Sequence, residues 1–372
     1  MEKKMRILIV THYFLPHKGG IEFVAYNQAK ELVKQGHEVT IVSSKIGDEP
    51  EEEVMDEIKI RRIPAWNWFE DHWGVPYPVY SFKLLKIMKE EVNKTDIVHV
   101  HDLSYLSSFI GALAARLNKR PLILMQHVKK IETKNKIVNI IQSIIFSTSG
   151  RYIVKASNKI VVCNEETSKW MNKKDKTVFL PNGVDTNLFY PTNNKKRVEL
   201  RKKYGLLKDK KIVLFVGRLV EKKGFDKLFE SRSRDYLILF VGDGVIPNNM
   251  KNDKNVKFFR AMSQKKLNEI YQLSDIFCLP SKNEGFPLTI LEAMSAGLPI
   301  ITSDHPGYDK YLDKKYVKMI EPTPFYIKKS IEELLKSKKL MQKMTKYSRN
   351  SAVSKFSWKH NASKLLKTYN EV

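Results

Sequence analysis

Short apolar runs alternating with helical patterns predict an α/β protein built from two doubly wound, parallel-sheet domains in series. Three observations carry this. "RILIV", then "IEFVAYNQAKELVKQG" stopping at Gly36, then "HEVTIVSS" form a strand–helix–strand unit, and such a crossover calls for parallel pairing. A second series of apolar runs starts at "KIVLFVGRL". The chain has 372 residues, more than one ordinary core serves.

The remaining elements follow in order. "DIVHVHD", "PLILMQH", "NKIVVCN" and "TVFLPNG" read as further buried strands of the first series. The join falls near Pro181 to Arg197. "YLILFVGDG", "NVKFFRA", "DIFCLPS" and "LPIITSD" continue the second series, and "FSWKHNASKLLKTYNEV" closes the chain as a helix. Apolar residues at 137, 141, 144 and 145 form a helical stripe, the usual mark of a core face. "PAWNWFEDHWGVPYPVYSFKLL" is rich in Trp and Tyr and suits either aromatic core packing or a sugar or lipid platform.

Composition narrows the class. A 42% hydrophobic content excludes a disordered chain. Two cysteines, Cys163 and Cys278, point to a reducing compartment without a disulfide framework. No run of about 18 apolar residues exists to span a membrane, and "ILIV" near the start reads as a buried strand rather than an export signal. The net charge of +25 is uneven: residues 1–100 carry 14 basic and 16 acidic groups (−2), residues 101–372 carry 52 and 25 (+27). That field suits polyanions, anionic lipid or phosphorylated substrates, or is simply a Lys-rich solvated surface. It comes without zinc-finger spacing or a compact RNA-binding signature, which argues against a nucleic-acid partner.

Ligands of doubly wound sheets sit past the carboxyl ends of the strands, so the residues there are the candidates. Gly19 and Gly20 precede the first helix, where free N–H groups suit an anion. His99 and His101 share one side of a strand and Asp102 follows; a metal site is conceivable, a hydrogen-bonded strand end is the plainer reading. His127 ends the next strand. Arg218, Lys222, Lys223 and Gly224 follow the first strand of the second series, a rigid fork and mobile cations suited to a diphosphate. In "PSKNEGFPLTILEAMSAGLP" a strand end runs into a helix starting near Pro287. The N–H groups of Phe286, Leu288 and Thr289 are free to hold phosphate. Glu284 in the loop and Glu292 one turn into the helix, seven residues between them, supply acceptors for hydroxyl groups. A nucleotide sugar offers all of these: a ribose, a diphosphate and a sugar.

With "GGIEFVAYNQAKELVKQGHEVTIVSS", "DIVHVHD", "PNGVDTNLF", "VGRLVEKKG", "GDG", "EGFPLTILEAMSAGLPIITSD" and the terminal "FSW" in place, the chain resembles a retaining glycosyltransferase of family 4. The E-x7-E element is the specific part. The resemblance implies the GT-B fold, two facing Rossmann-like domains with a cleft that closes on the ligand: 1–180 acceptor-binding, 181–350 nucleotide-sugar-binding, 351–372 a helix packing back on the first. It implies that Glu284 contacts donor-sugar hydroxyls, Glu292 the ribose, Arg218 and Lys223 the diphosphate, Gly20 a phosphate, and that His127 lies at the sugar. Arg260 replaces the Gly usual in a turn near the base, so the base stays open between UDP- and GDP-sugars. No Asp-x-Asp is present, which implies metal-independent transfer without a cofactor. The acceptor is expected to be a glycan or lipid-linked, in cell-envelope polysaccharide or glycolipid synthesis. The protein is expected in the cytoplasm, peripheral on anionic membrane. A nucleotide-sugar epimerase on the same fold and a non-enzymatic polyanion binder are the alternatives.

Overall fold

The computed structural model describes residues 4–372 except Lys18, Gly74, Val128, 130–135, 207–209, 283–285 and Pro306, and except the side chains of Trp73 and Ile137. The chain divides into two units, Met1–Pro181 with Asn361–Val372, and Asn182–His360.

The first unit carries strands β1 (Arg6–Val10), β2 (Glu38–Lys45), β3 (Glu52–Met55), β4 (Ile58–Trp66), β5 (Val79–Tyr80), β6 (Ile97–His101), β7 (Leu122–Gln126), β8 (Lys159–Val162) and β9 (Thr177–Phe179). Its sheet runs β3-β4-β2-β1-β6-β7-β8-β9, with β5 on β4; β3 and β5 pair antiparallel to β4, the rest are parallel. β6 and β7 are buried along their whole length, as parallel strands covered on both faces must be. Helices α1 (Gly20–Lys34), α2 (Trp68–Trp73), α3 (Lys83–Asn93), α4 (Leu106–Leu117), α5 (Lys136–Ile145), α6 (Arg151–Ala156) and α7 (Glu165–Met171) belong to it. Gly36, at φ +91, ends the α1 connection as the sequence predicts.

The second unit carries β10 (Lys211–Val216), β11 (Tyr236–Val241), β12 (Val256–Phe259), β13 (Ile276–Leu279), β14 (Ile300–Ser303) and β15 (Lys318–Ile320), all parallel in the order β12-β11-β10-β13-β14-β15. Its helices are α8 (Asn194–Lys203), α9 (Phe225–Glu230), α10 (Asn248–Lys251), α11 (Gln264–Leu273), α12 (Leu288–Ser295), α13 (Pro324–Lys336) and α14 (Lys338–Lys355). α9 and α10 are one to two turns long, matching the short segments around them. Arg201 of α8 pairs with the buried Asp275 at 2.7 Å, and Asp275 also accepts the Ile212 N–H, so α8 is tied to the starts of β10 and β13. Breaking such a buried pair costs about 3–5 kcal/mol.

Strand order reverses at β1/β6 in one sheet and at β10/β13 in the other. These switch points are where open α/β sheets hold ligands.

Two expectations fail. The terminal helix does not span 351–372. Residues 351–355 complete α14, Phe356 leaves helical geometry, and α15 (Trp358–Asn370) follows. From Asn361 onward α15 belongs to the first unit, where the Asn361 amide donates to the Pro181 carbonyl at 2.6 Å. The apolar stripe of α5 is not core: Ile140, Ile141 and Ile144 are 59%, 45% and 56% exposed. A 3.6-residue period shows that an apolar face exists, not that the same chain covers it. The aromatic insertion is split. Tyr80 donates to the His12 carbonyl at 3.0 Å, while Trp66 and Phe82 stay exposed.

Candidate active site

At the second unit's switch point the chain leaves β10 through Gly217 into a loop holding Arg218 and Lys223, and leaves β13 through Pro280 toward α12. The two exits are locked together. Gly224 has φ +72, and a Cβ there would stand 2.1 Å from the Pro280 carbonyl oxygen, so only glycine fits. Next to it the Lys282 N–H donates to the Lys222 carbonyl at 2.8 Å. Gly242, at φ +148, lets the β11 exit press equally close; its Cβ would meet the Gly217 carbonyl oxygen at 2.0 Å. The Arg218 side chain is exposed, and no described carboxylate pairs with it; Lys223 is half-buried. The loop that carries both cations is thus fastened to the exit of β13 by backbone contact.

α12 begins directly after Pro287, which serves as its extended N-cap residue rather than its first helical residue. Leu288 and Thr289 form the first turn, half-buried, where N–H groups lack intrahelical acceptors. Phe286 offers only its backbone. Its ring is core, packed on Tyr308, Tyr311 and Phe356, and its carbonyl accepts from the Asn182 amide at 2.8 Å. Glu284 lies outside the described residues. Glu292 sits one turn into α12, 8% exposed, and accepts the Tyr271 hydroxyl at 2.8 Å. Burial pushes its carboxyl up to about 7. Tyr271, on α11, is a partner the sequence reading missed. A cavity of about 670 Å³ opens beside this switch point, lined by Gly242, Asp243, Gly244 and Arg260 among others; the Asp243 carboxylate accepts the Ala261 N–H there at 3.2 Å. This is the turn that the sequence placed near a base.

In the first unit the candidates cluster past β1, β6 and β7. His12, His99, His101 and His127 are all buried. His101 Nδ1 lies 3.0 Å from His127 Nε2, His99 Nδ1 lies 2.7 Å from the Tyr369 hydroxyl, and the rings of His99 and His101 stack at 4.6 Å. Burial holds these imidazoles neutral: His127 is pushed down to about 4, His99 to about 3, and His12 and His101 well below their ordinary range. Asp102, at φ +56, accepts the His127 N–H at 2.9 Å, and its own burial raises its carboxyl to about 7. Among the described residues no group of three or more His, Cys, Asp or Glu is arranged to hold a metal.

Gly20 opens α1, and a Cβ there would meet nothing within 4 Å, so the packing of the fold does not itself demand glycine at this position. The positive end of α1 is already met from within. Glu22, buried in its first turn, bonds His17 Nδ1 at 2.7 Å, and His17 Nε2 reaches Glu70 at 3.2 Å. The bond to Glu22 raises the His17 pKa. An acid in a first turn is a common helix feature, which is why the sequence reading passed over Glu22.

Comparison with known proteins decides the family. The family described as "Glycosyltransferase Family 4" matches residues 18–188, and "Glycosyl transferases group 1" matches 196–351. Between them they take in the second sheet, the first sheet from β2 onward, and the candidate residues from Gly19 to Glu292. The chain belongs to the family 4 (group 1) glycosyltransferases. It is 26% identical to a putative teichuronic acid biosynthesis glycosyltransferase, TuaC, of Bacillus subtilis, covering 86% of each chain. It is 32% identical to the Escherichia coli UDP-Gal:alpha-D-GlcNAc-diphosphoundecaprenol alpha-1,3-galactosyltransferase, over 60% of this chain and 61% of that one. The Anabaena protein HepE, solved with UDP and glucose, superposes with a TM-score of 0.77 at 14% identity, over 99% of this glycosyltransferase and 100% of HepE. This glycosyltransferase has the GT-B fold of two Rossmann-like units.

The raised Glu292 carboxyl gives a stability prediction. Unfolded, a glutamate titrates near 4.5; folded, this one titrates near 7. Between those values the folded state binds more protons than the unfolded one, so stability falls as pH rises and the penalty is complete above 7, at most about 3 kcal/mol. Glu292→Gln should flatten this part of the stability profile. Urea unfolding between pH 4.5 and 8 checks it; identical slopes in both proteins would remove the titration from Glu292.

Proposed function

We propose that this glycosyltransferase moves a sugar, with retention, from a nucleoside-diphosphate sugar to a hydroxyl of a cell-envelope glycan or lipid-linked acceptor, without a metal. The observation that carries the proposal is the locked pair of exits in the second unit. It fastens the loop holding the exposed Arg218 and Lys223 to the exit of β13, and a departing diphosphate needs preorganised positive charge of that kind. Glu292 stands behind the start of α12 as an acceptor for the ribose, in exchange for or beside Tyr271. The cavity at Arg260 is where the base fits, and Glu284 would take the donor-sugar hydroxyls. His127 would lie at the sugar and Gly20 at a phosphate. The leaving phosphate takes the acceptor proton in a same-face attack, so no carboxylate nucleophile is required. HepE was solved with UDP, which favours a UDP-sugar over a GDP-sugar as the first donor to try.

A transfer assay with UDP- and GDP-sugars in excess chelator tests the reaction. Product should form at the rate seen in magnesium. Product that appears only with metal, or a changed sugar nucleotide formed without acceptor, would overturn transfer as written, the latter in favour of an epimerase. Within that assay, Glu292→Ala should weaken binding of the nucleoside diphosphate, because ribose contacts act equally in ground and transition states. Glu284→Ala should chiefly lower turnover. Equal losses of diphosphate affinity in both would contradict the assignment.

The acceptor is proposed to be membrane-borne, with the enzyme in the cytoplasm on the inner face of the membrane. The relatives named for teichuronic acid and for a diphosphoundecaprenol acceptor favour it. So does α5, whose exposed Ile140, Ile141 and Ile144 stand on a helix opened by Lys136 and followed by the exposed Arg151 and Lys155. An apolar face bordered by cations fits an anionic lipid interface, where each basic group contributes about 1 kcal/mol. No helix among the described residues is long and apolar enough to cross a membrane. Co-sedimentation should favour anionic over neutral vesicles, fade with salt, and drop when all three isoleucines become serine. Equal recovery on both vesicle types at low salt would leave an unanchored oligosaccharide acceptor.

A further inference from the structure

We infer that His101 is a positioning residue that fixes the tautomer of His127, so that His127 meets its ligand as an N–H donor through Nδ1. The motif "DIVHVHD" has no role in the donor site described above, yet it surrounds His127. Asp102 accepts the His127 backbone N–H at 2.9 Å, and His101 Nδ1 stands 3.0 Å from His127 Nε2. One nitrogen of His127 is therefore spent inside the fold. The other, Nδ1, has no partner among the described residues and belongs to a side chain with 8% residual exposure, at the carboxyl end of β7.

Burial keeps both rings neutral, so a single proton lies between them. Two arrangements are open. If His127 Nε2 carries the proton, His101 must hold its own on Nε2. That atom is buried and has no partner among the described residues, and a stranded buried N–H is the rarer defect in folded proteins. If His101 donates from Nδ1, its Nε2 is left as a bare lone pair, and His127 is forced to carry its proton on Nδ1. The second arrangement strands no donor. The His101 ring is itself braced: His99 stacks on it at 4.6 Å, and the Tyr369 hydroxyl of α15 holds His99 at 2.7 Å. A hydrogen-bonded neighbour that sets which imidazole nitrogen is protonated is a common device around functional histidines.

The tautomer rests on the geometry and burial of the two rings; its effect on turnover rests on His127 lying at the donor sugar. The two are separable. Long-range ¹H–¹⁵N correlation spectra of the full chain without substrate, assigned with His127→Gln, should show His127 protonated at Nδ1 and bare at Nε2. His101→Leu should move His127 toward the Nε2 tautomer. His101→Asn, which can donate from the same position, should restore Nδ1. In the transfer assay His101→Leu should lower kcat roughly 10- to 100-fold, the range seen for outer partners of metal-bound imidazoles, with donor KM nearly unchanged, and His101→Asn should recover most of it. A wild-type His127 protonated at Nε2 overturns the inference, and that spectrum decides even if His101→Leu does not fold. So does a His101→Leu protein with unchanged tautomer and unchanged kcat. Full activity in His127→Gln beside the expected spectra would overturn the placement of His127 at the sugar while supporting the tautomer.

Discussion

The contact on which the second unit's chemistry depends is backbone against backbone: Gly224 pressed onto the Pro280 carbonyl. No side chain is possible there, and the φ of +72 suits glycine alone. What it achieves is placement. Cations on flexible stems give little electrostatic stabilisation unless their loop is held. Here the loop that follows β10 is fastened to the loop that follows β13, so the cations proposed to meet a diphosphate sit on a loop held in place by the fold. Gly242 does the same for the β11 exit and shapes the neighbouring cavity.

The first unit works by a different constraint. Its sheet is covered on both faces, and the imidazoles of His12, His99, His101 and His127, on or just past β1, β6 and β7, are among the groups buried in the process. Desolvation removes their charge, so they serve as neutral donors and acceptors rather than as cations. The positive start of α1 is likewise answered by Glu22 from within the fold. This unit offers hydrogen bonds, and the second offers charge. That division suits a reaction in which the departing group is an anion and the incoming group a hydroxyl.

Much of this was legible in the residues. The five runs from "KIVLFVGRL" to "LPIITSD" are β10 to β14: β10, β11, β13 and β14 are largely apolar because parallel strands covered on both faces have to be, and β12 is a half-buried edge strand. β15 and the antiparallel β3 and β5 were not seen, being short, and neither was β4, where Lys59, Arg61, Arg62 and Pro64 break up the apolar run. The E-x7-E spacing located α12, but nothing in it announced that Tyr271 of another helix would hold Glu292. The α5 stripe was read as core because periodicity reports amphipathicity and is silent on what covers the face. His99 and His101 were read as a pair on one strand, and His127 apart from them. Their chain through His101 exists only once β6 and β7 lie side by side, which no local pattern reveals.

The central claim is that the Gly224-locked loop holds a diphosphate, and calorimetry tests it most directly. Uridine, UMP and UDP should bind the wild-type protein with affinity rising as phosphates are added. Arg218→Ala should weaken UDP by roughly 10- to 100-fold, as the loss of a charge-assisted hydrogen bond does, while uridine binds as before. A UDP affinity that is untouched in Arg218→Ala, or no gain from uridine to UDP in the wild type, would contradict the account.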